Sequence, residues 1–548
     1  MYVDSSTTAR NGKYYTRYLL RTSFRENGKV KHRTIANLSD CTEAEIAAIR
    51  LALRHKDNLS ILGSIKDVEA VQGKRIGAVW LLKVLAERLG IADVLGRDSQ
   101  GKLALWQVMA RLIGQGSRLK AVRLACSHAG CEIIGLKSLN EDDLYENLAW
   151  LAGHQEKMEK KLFYRRYPER LPVLFLYDVT SSYLEGVCND LAAYGYNRDK
   201  KKGKMQIVVG LLTGPMGDPV AVRVFQGNTA DTSTVSEQIR ILAEQFGVKE
   251  VTLVGDRGML KGPQIDELPD SFRYLTAITK PEIRRLLTEG LLQYELFSER
   301  VCEVESEGVR YILRRNPQRA EEIRLNREGK LVALRDLTVK QTKYLAEHSR
   351  ATVAAAERKV RDKAKLLKIE KWVRVVVDQR VIRAEPDEAV LAKVSLLDGC
   401  YVIKTDVSRD IANTQTIHDR YKDLAQVERA FRTIKTAHLE IRPVHVRKEA
   451  STRGHVFVVM LALLLQRELE RCWLGLDITV EEGIDELSAI CMQEICVGDA
   501  VCQNIPYPNE RSSVLLKAAD IQLPATLPSR KVHVATKKKL PRKRKQLK

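Results

Sequence analysis

The chain opens with two β-rich runs. From Tyr14 to Ile35 the sequence YYTRYLLRTSFRENGKVKHRTI alternates at several positions on either side of Asn27-Gly28, and an Asn-Gly turn between such runs predicts a hairpin. Thr42 followed by Glu45 has capping-box spacing and predicts a helix through about Leu53. Apolar positions at helical spacing recur through Ile76 to Leu89 and Leu103 to Ile113, so residues 40 to 165 read as mostly helical. Short turns such as the GQGS stretch from Gly114 separate these helices. Helix-turn-helix readers of duplex DNA have this pattern, and so do small bundles with no such role. The stretch Lys157 to Arg170 is either a basic linker touching phosphates or a solvated helix face.

The pattern changes at Pro172. LPVLFLYDVTSSY opens with a continuous apolar run of strand length that ends at an acid, as expected of a strand buried on both faces. Further strands are predicted at Met205 to Leu212, Val220 to Phe225, Val251 to Val254 and Tyr274 to Ile278, with a helix from about Thr234 to Phe246. This is the pattern of a mixed α/β sheet. Alternating runs at Arg300 to Leu313 and a charged stretch from Arg319 to Ile369 do not continue it, and predict an inserted subdomain. A strand at Cys400 to Lys404, a charged helix from about Ala412 to Thr436 and an apolar helix from His455 to Glu470 resume the sheet domain. The predicted organisation is a β-hairpin unit over 1–40, a helical DNA-binding region over 41–170, the sheet domain over 171–280 and 397–475, an insertion over 281–396, a C-terminal region over 476–530 and a basic tail over 531–548.

Composition narrows the partner. An apolar share of 44% and a charged share of 29% exclude wholesale disorder. The 91 Lys and Arg against 70 Asp and Glu give a formal +21, which points to a polyanion. Nine of those cations lie in Lys531–Lys548, leaving 21 − 9 = 12 for the rest. Ten cysteines without zinc-type spacing read as reduced, mostly buried thiols. The N-terminus has no signal-peptide core, and the longest apolar run, Val456 to Leu465, is about half of what crosses a bilayer. A soluble cytoplasmic protein is expected. The sequence contains no GxxxxGK[ST], HExxH or GxSxG, so nucleotide-dependent, zinc-protease and hydrolase chemistry have no support. His438, His445 and His455 are unevenly spaced and read as core or phosphate-facing side chains.

Three carboxylates carry the candidate chemistry. Asp178 ends the apolar run LFLYDVTS, where α/β sheets place functional groups, and Asp256 repeats the arrangement in VTLVGDRGM. Such acids are individually common as turn formers. Together they suit two-metal phosphoryl transfer, in which hard divalent cations need converging oxygen ligands. Glu428 lies in RYKDLAQVERAFRTIK, where Tyr421, Glu428 and Lys435 stand seven residues apart among Leu424, Val427, Phe431 and Ile434. That face is expected to be partly buried, so its charges need partners.

This set resembles the DDE transposases of bacterial insertion sequences, which carry an RNase H-like catalytic domain, over about Pro172 to Glu470, with weaker similarity at the N-terminal hairpin. The subgroup's signature is Tyr, two residues, Arg, three residues, Glu, six residues, Lys. Tyr421, Glu428 and Lys435 match it, whereas Leu424 occupies the Arg position, with Arg420, Arg429 or Arg432 as replacements. The family's insertion between the second and third acids fits a separation of 428 − 256 = 172 against 256 − 178 = 78. The segment GNTADTST from Gly227 and the helix after His455 are also similar.

The resemblance implies an RNase H-like mixed sheet flanked by helices, interrupted by a subdomain and preceded by a small β unit and a helical region. It implies two Mg²⁺ ions held by Asp178, Asp256 and Glu428, with Mn²⁺ able to substitute, and DNA contacts from Tyr421, Arg432 and Lys435. The partners it implies are double-stranded DNA, as element ends and target, and a second copy of the chain, with no membrane and no nucleotide cofactor. The activity would be cleavage at terminal inverted repeats and joining of the 3′ hydroxyl to target DNA. A catalytically inactive DNA-binding regulator and a stand-alone RNase H-like nuclease are the other readings.

Overall fold

The structure is a computed structural model that describes residues 1–10, 12–57, 68–257, 259–436, 439–443, 445–497, 500–527 and 533–534. Nearly all of the basic tail, together with His438 and Gly258, lies outside these residues. The chain divides into two compact units, one of Met1–Val84, Arg123–Ser138 and Cys472–Val534, the other containing Leu85–Val122 and Leu139–Arg471. No helix among the described residues is long and apolar enough to cross a membrane.

In the first unit the expected hairpin forms, with Lys13–Glu26 antiparallel to Lys29–Asn37 across Asn27-Gly28. Both turn residues have positive φ, as the tight turn requires. A third strand, Tyr2–Arg10, pairs with Lys13–Glu26 along its length. Its polar run Asp4 to Thr8 has no alternation to announce it. Thr42 and Glu45 form a capping box on the Glu43–Arg54 helix, Thr42 Oγ1 accepting from the Glu45 amide and Glu45 from the Thr42 amide. The segment expected to be one helical region is divided between the units, and it contains a strand, Val68–Arg75, paired with Cys491–Val497. A partner so distant leaves no local pattern. Of nine described cysteines only Cys131 and Cys400 are buried, and Cys126 and Cys188 are exposed, so the expectation of mostly buried thiols is corrected.

The second unit is built on an eight-stranded mixed sheet in the order Cys302–Ser306, Val309–Arg315, Cys400–Thr405, Phe272–Ala277, Val251–Gly255, Leu174–Tyr183, Gln206–Thr213, Pro219–Gln226. Leu174–Tyr183, Val251–Gly255 and Phe272–Ala277 run parallel, Gln206–Thr213 returns antiparallel to Leu174–Tyr183, and Pro219–Gln226 is antiparallel to Gln206–Thr213 in turn. This is the RNase H-like mixed sheet expected, with one correction. The alternating runs at Arg300 to Leu313 are not outside the sheet: their hairpin pairs with Cys400–Thr405 and extends it. Only the material after them stands apart. The charged stretch forms two helices, Pro317–Glu347 and Val353–Leu366, which share a core of Leu334, Val360, Trp372 and Ile382 with a hairpin of their own.

Alternation along Leu174–Tyr183 decides what faces where. Phe175, Tyr177 and Val179 enter a core with Phe163, Val235, Leu242 and Phe246. The stretch Lys157 to Arg170 is therefore no linker. Through Arg166 it belongs to the Glu141–Arg166 helix, and Phe163 stacks on Phe246 at 4.4 Å. The same helix is pinned by a buried ion pair between Glu159 and Arg223, with Gln155 and Gln245 completing the hydrogen bonds. The Ser99–Ile113 helix buries eleven of its fifteen residues. A helix that reads DNA must expose a face, so this one serves as core.

A second buried pair ties the outer hairpin to the sheet. Arg310 donates to Glu303 at 2.7 Å and to the carbonyls of Val407 and Ala412, while Glu303 also accepts from Arg409 and Thr414. Burial alone would push the Glu303 carboxyl up, but these donors outweigh it and hold the group at about 2. A carboxyl depressed from its ordinary 4.5 contributes stability above that value and loses it as pH falls towards 2. Glu303→Gln is therefore expected to lower stability by about 3 kcal/mol at neutral pH, with the gap closing between pH ~4.5 and ~2. Denaturant midpoints measured across that window check this, and a gap independent of pH would count against it.

Candidate active site

Asp178 lies in the middle of Leu174–Tyr183 and not at its end, because the strand continues for five residues beyond it. The local sequence could not show this, since Thr180 to Ser182 are polar yet buried. Asp256 follows the last residue of Val251–Gly255. The parallel pairing Tyr177↔Gly255 brings the next residue of each strand, Asp178 and Asp256, side by side. Asp178 points to the face opposite Tyr177, where the Leu424–Thr436 helix carrying Glu428 packs.

The expected single helix from Ala412 to Thr436 is two, Thr414–Lys422 and Leu424–Thr436, broken at Asp423. Tyr421 and Glu428 thus do not share a face of one helix. The break turns the Tyr421 hydroxyl to donate to Asp256 Oδ1 at 3.4 Å. Leu424, Val427, Ala430, Phe431 and Ile434 form the buried stripe of the second helix, and Glu428 stands exposed beside it, which corrects the expectation of a buried acid.

One cleft of about 470 Å³ is lined by Asp178, Asp256, Glu428, Arg432 and Lys435, together with Tyr196, Arg198 and Asp231. A larger hollow of about 630 Å³ in the first unit is lined mainly by apolar residues such as Leu516, Ile521 and Pro524, so chemistry and not size singles out the acidic cleft. Burial pushes the Asp178 carboxyl up to about 7, and the neighbouring charges of Asp256 and Glu428 add to the rise. The Val179 amide donating to Asp178 Oδ1 at 2.7 Å opposes it. Burial and the nearby Asp256 raise the Tyr421 hydroxyl well above its ordinary range.

The donor set is all oxygen and suits hard divalent cations. As placed, no three His, Cys, Asp or Glu side chains among the described residues are close enough to hold an ion. The expected convergence to ligand distance is thus not reached in this arrangement. Like charges repel, and Asp178 and Asp256 are each drawn back by the amide of the following residue, Val179 and Arg257, at 2.7 Å.

The cations of the cleft are held in place. Lys435 donates to Asp199 Oδ1 at 2.8 Å, and Arg198 pairs with Asp231 while its amide donates to Ser181 Oγ. Of the three candidate replacements for the signature Arg, Arg432 lines the cleft, whereas Arg429 lies 3.6 Å from Glu470. His455 is a core residue, its Nε2 bonded to the Ile441 carbonyl and its Nδ1 accepting from Arg118. Arg198, Asp199 and Asp231 escaped sequence reasoning. Asp231 lies within GNTADTST, and that segment was the available signal.

The fold and the cleft define an RNase H-like protein with an acidic, cation-rimmed groove. A Transposase DDE domain matches residues 170–465, which is 296 of 548 positions, and an IS1634 family transposase N-terminal domain matches residues 3–60. The chain belongs to the DDE transposase family, whose function is DNA transposition and whose catalytic domains use divalent metal ions. No curated protein matches the chain as a relative. A solved structure of a piggyBac transposase synaptic complex with hairpin DNA is 8% identical, covers 70% of this chain and 69% of that chain, and has a TM-score of 0.34, a likeness that carries no argument.

One glycine fixes the rim. A Cβ on Gly227 would overlap the backbone oxygens of Gln206 and Ala193, and the buried Gln206 donates to Gly227 O and Tyr196 O. Gly227→Ala is expected to separate these segments, lowering stability by about 1–3 kcal/mol and loosening Arg198 and Asp231. Thermal denaturation and protease sensitivity between Ala193 and Asp231 check this, and an unchanged profile would refute it.

Proposed function

We propose that this chain binds the terminal inverted repeats of an insertion sequence, cuts the DNA there and joins the freed 3′ hydroxyl to target DNA, using Mg²⁺ held by Asp178, Asp256 and Glu428. The observation that carries this reading is the lining of one cleft by three carboxylates from distant parts of the chain, with Asp178 pushed up to about 7. Bound metal supplies a nucleophile at neutral pH and charge neutralisation at phosphorus. The chain's own residues do the rest. Asp178 sits within one strand and Asp256 just beyond the end of the parallel strand beside it, so the sheet holds the two acids next to each other. Tyr421 orients Asp256 through its hydroxyl, and Arg432 and Lys435 hold the DNA backbone on the rim. The exposed Asp256 and Glu428 leave the groove open to a duplex. The segments 171–280 and 397–475, together with the hairpin of Cys302–Ser306 and Val309–Arg315 that extends their sheet, act as the catalytic domain, and the active species is a homodimer with one end per copy.

Asp178→Asn, Asp256→Asn and Glu428→Gln should each reduce cleavage and strand transfer more than about 100-fold, beyond the loss of a supporting partner, while duplex binding persists. Mn²⁺ should support activity and Ca²⁺ should not, because its longer, looser coordination misplaces the attacking water. Assays on the DNA ends that flank the gene read all of these, and near wild-type cleavage by any one variant in Mg²⁺ removes that residue from the site.

A further inference from the structure

The N-terminal sheet has two unlike faces. Successive residues of Lys13–Glu26 alternate between them, and the pairings of its neighbours fix which residues join each face. The Glu43–Arg54 helix lies on the even-numbered side, where Arg50 stands 5.5 Å from the centre of the Tyr18 ring. That helix brings Glu43 and Glu45, and the same side carries Glu26 with Lys29, Lys31 and Arg33, Lys31 being paired with Glu26, so its three acids offset its cations. The odd-numbered side presents Lys13, Tyr15, Arg17, Ser23 and Arg25 to solvent. Its one acid, Asp4, is taken up by Arg21 at 2.7 Å, and Tyr2, Ser23 and His32 hydrogen-bond across it. Residues 1–37 hold eight Lys or Arg against two acids.

We infer that this odd-numbered face is a docking surface for duplex DNA, with Lys13, Arg17 and Arg25 on phosphates. The inference rests on the transposase reading only for the expectation that the chain meets DNA. Charge and shape both favour this occupant. The strand advances about 3.3 Å per residue, so the three cations span about 40 Å, more than one turn of a duplex. The major groove, about 12 Å wide, admits a β-ribbon. Among the side chains between the cations, the exposed ones, Tyr15 and Ser23, offer a ring and a hydroxyl suited to base edges and sugars. The Ser99–Ile113 helix, one of several in the region expected to bind DNA, is meanwhile buried as core.

The test compares two full-length variants with equal loss of charge. One carries Lys13→Gln, Arg17→Gln and Arg25→Gln; the other carries Lys29→Gln, Lys31→Gln and Arg33→Gln, exposed positions whose register puts them on the even-numbered face. Circular dichroism confirms that both fold. Anisotropy of a fluorescein-labelled duplex is followed between about 50 and 200 mM KCl, where each phosphate contact contributes about 0.9 to the slope of log K against log salt. The odd-face variant should bind roughly tenfold or more weakly, with a slope shallower by about 2–3. The even-face variant should keep most of the wild-type slope. Equal losses in both variants, or none in either, overturn the inference. Wild-type protein that shows this face dependence yet does not cut DNA in Mg²⁺ or Mn²⁺ leaves the inference standing and sinks the transposase reading. Wild-type protein that cuts, with both variants binding alike, does the reverse.

Discussion

The candidate site depends on one register, the parallel pairing of Tyr177 with Gly255. That pairing puts Asp178 and Asp256 at adjacent positions on the face where the Glu428 helix packs. Because side chains alternate along a strand, a slip of one residue would turn Asp178 into the core occupied by Phe163, Phe175 and Phe246 and send Tyr177 to the cleft. The apolar residues on both sides of Asp178 therefore do more than bury area. They forbid the alternative registers, and so fix a charged group in half-buried surroundings that its own chemistry disfavours.

Buried ion pairs hold the peripheral elements to that sheet. Glu159 with Arg223 fastens the long Glu141–Arg166 helix to the strand Pro219–Gln226, and Glu303 with Arg310 fastens the outer hairpin to the loop that leads into the Tyr421 helix. Each pair is satisfied by additional hydrogen bonds, the condition under which such groups are tolerated in an interior. They are directional, so they fix where these elements sit more sharply than apolar contact alone.

What was legible in the sequence was local. The Asn27-Gly28 hairpin, the Thr42–Glu45 capping box and the buried strands of the sheet each need only neighbouring residues to be recognised, and each is found. Asp178, Asp256 and Glu428 were readable as a set, through strand pattern and signature spacing, and they line one cleft. What was not legible depended on distant partners. The membership of the Arg300 to Leu313 runs in the sheet is decided by Cys400–Thr405, and the strand Val68–Arg75 by Cys491–Val497. The break at Asp423 interrupts a pattern that reads as one continuous helix, and the roles of Arg198, Asp199 and Asp231 arise only when loops meet at the cleft.

The position of Cys400–Thr405 bears on how the molecule comes into being. This strand lies between Phe272–Ala277 and Val309–Arg315, yet it follows both in the chain. During synthesis at roughly 5–20 residues per second, the 122 residues from 278 to 399 (399 − 278 + 1) must emerge before the seat between the two earlier strands is filled. Until then Phe272–Ala277 has an open edge, and Glu428, 172 residues after Asp256, has not been made. A nascent or prematurely ended chain thus has two of the three acids and an incomplete sheet. Assembly order alone keeps the acidic cleft from being complete before the sheet is whole.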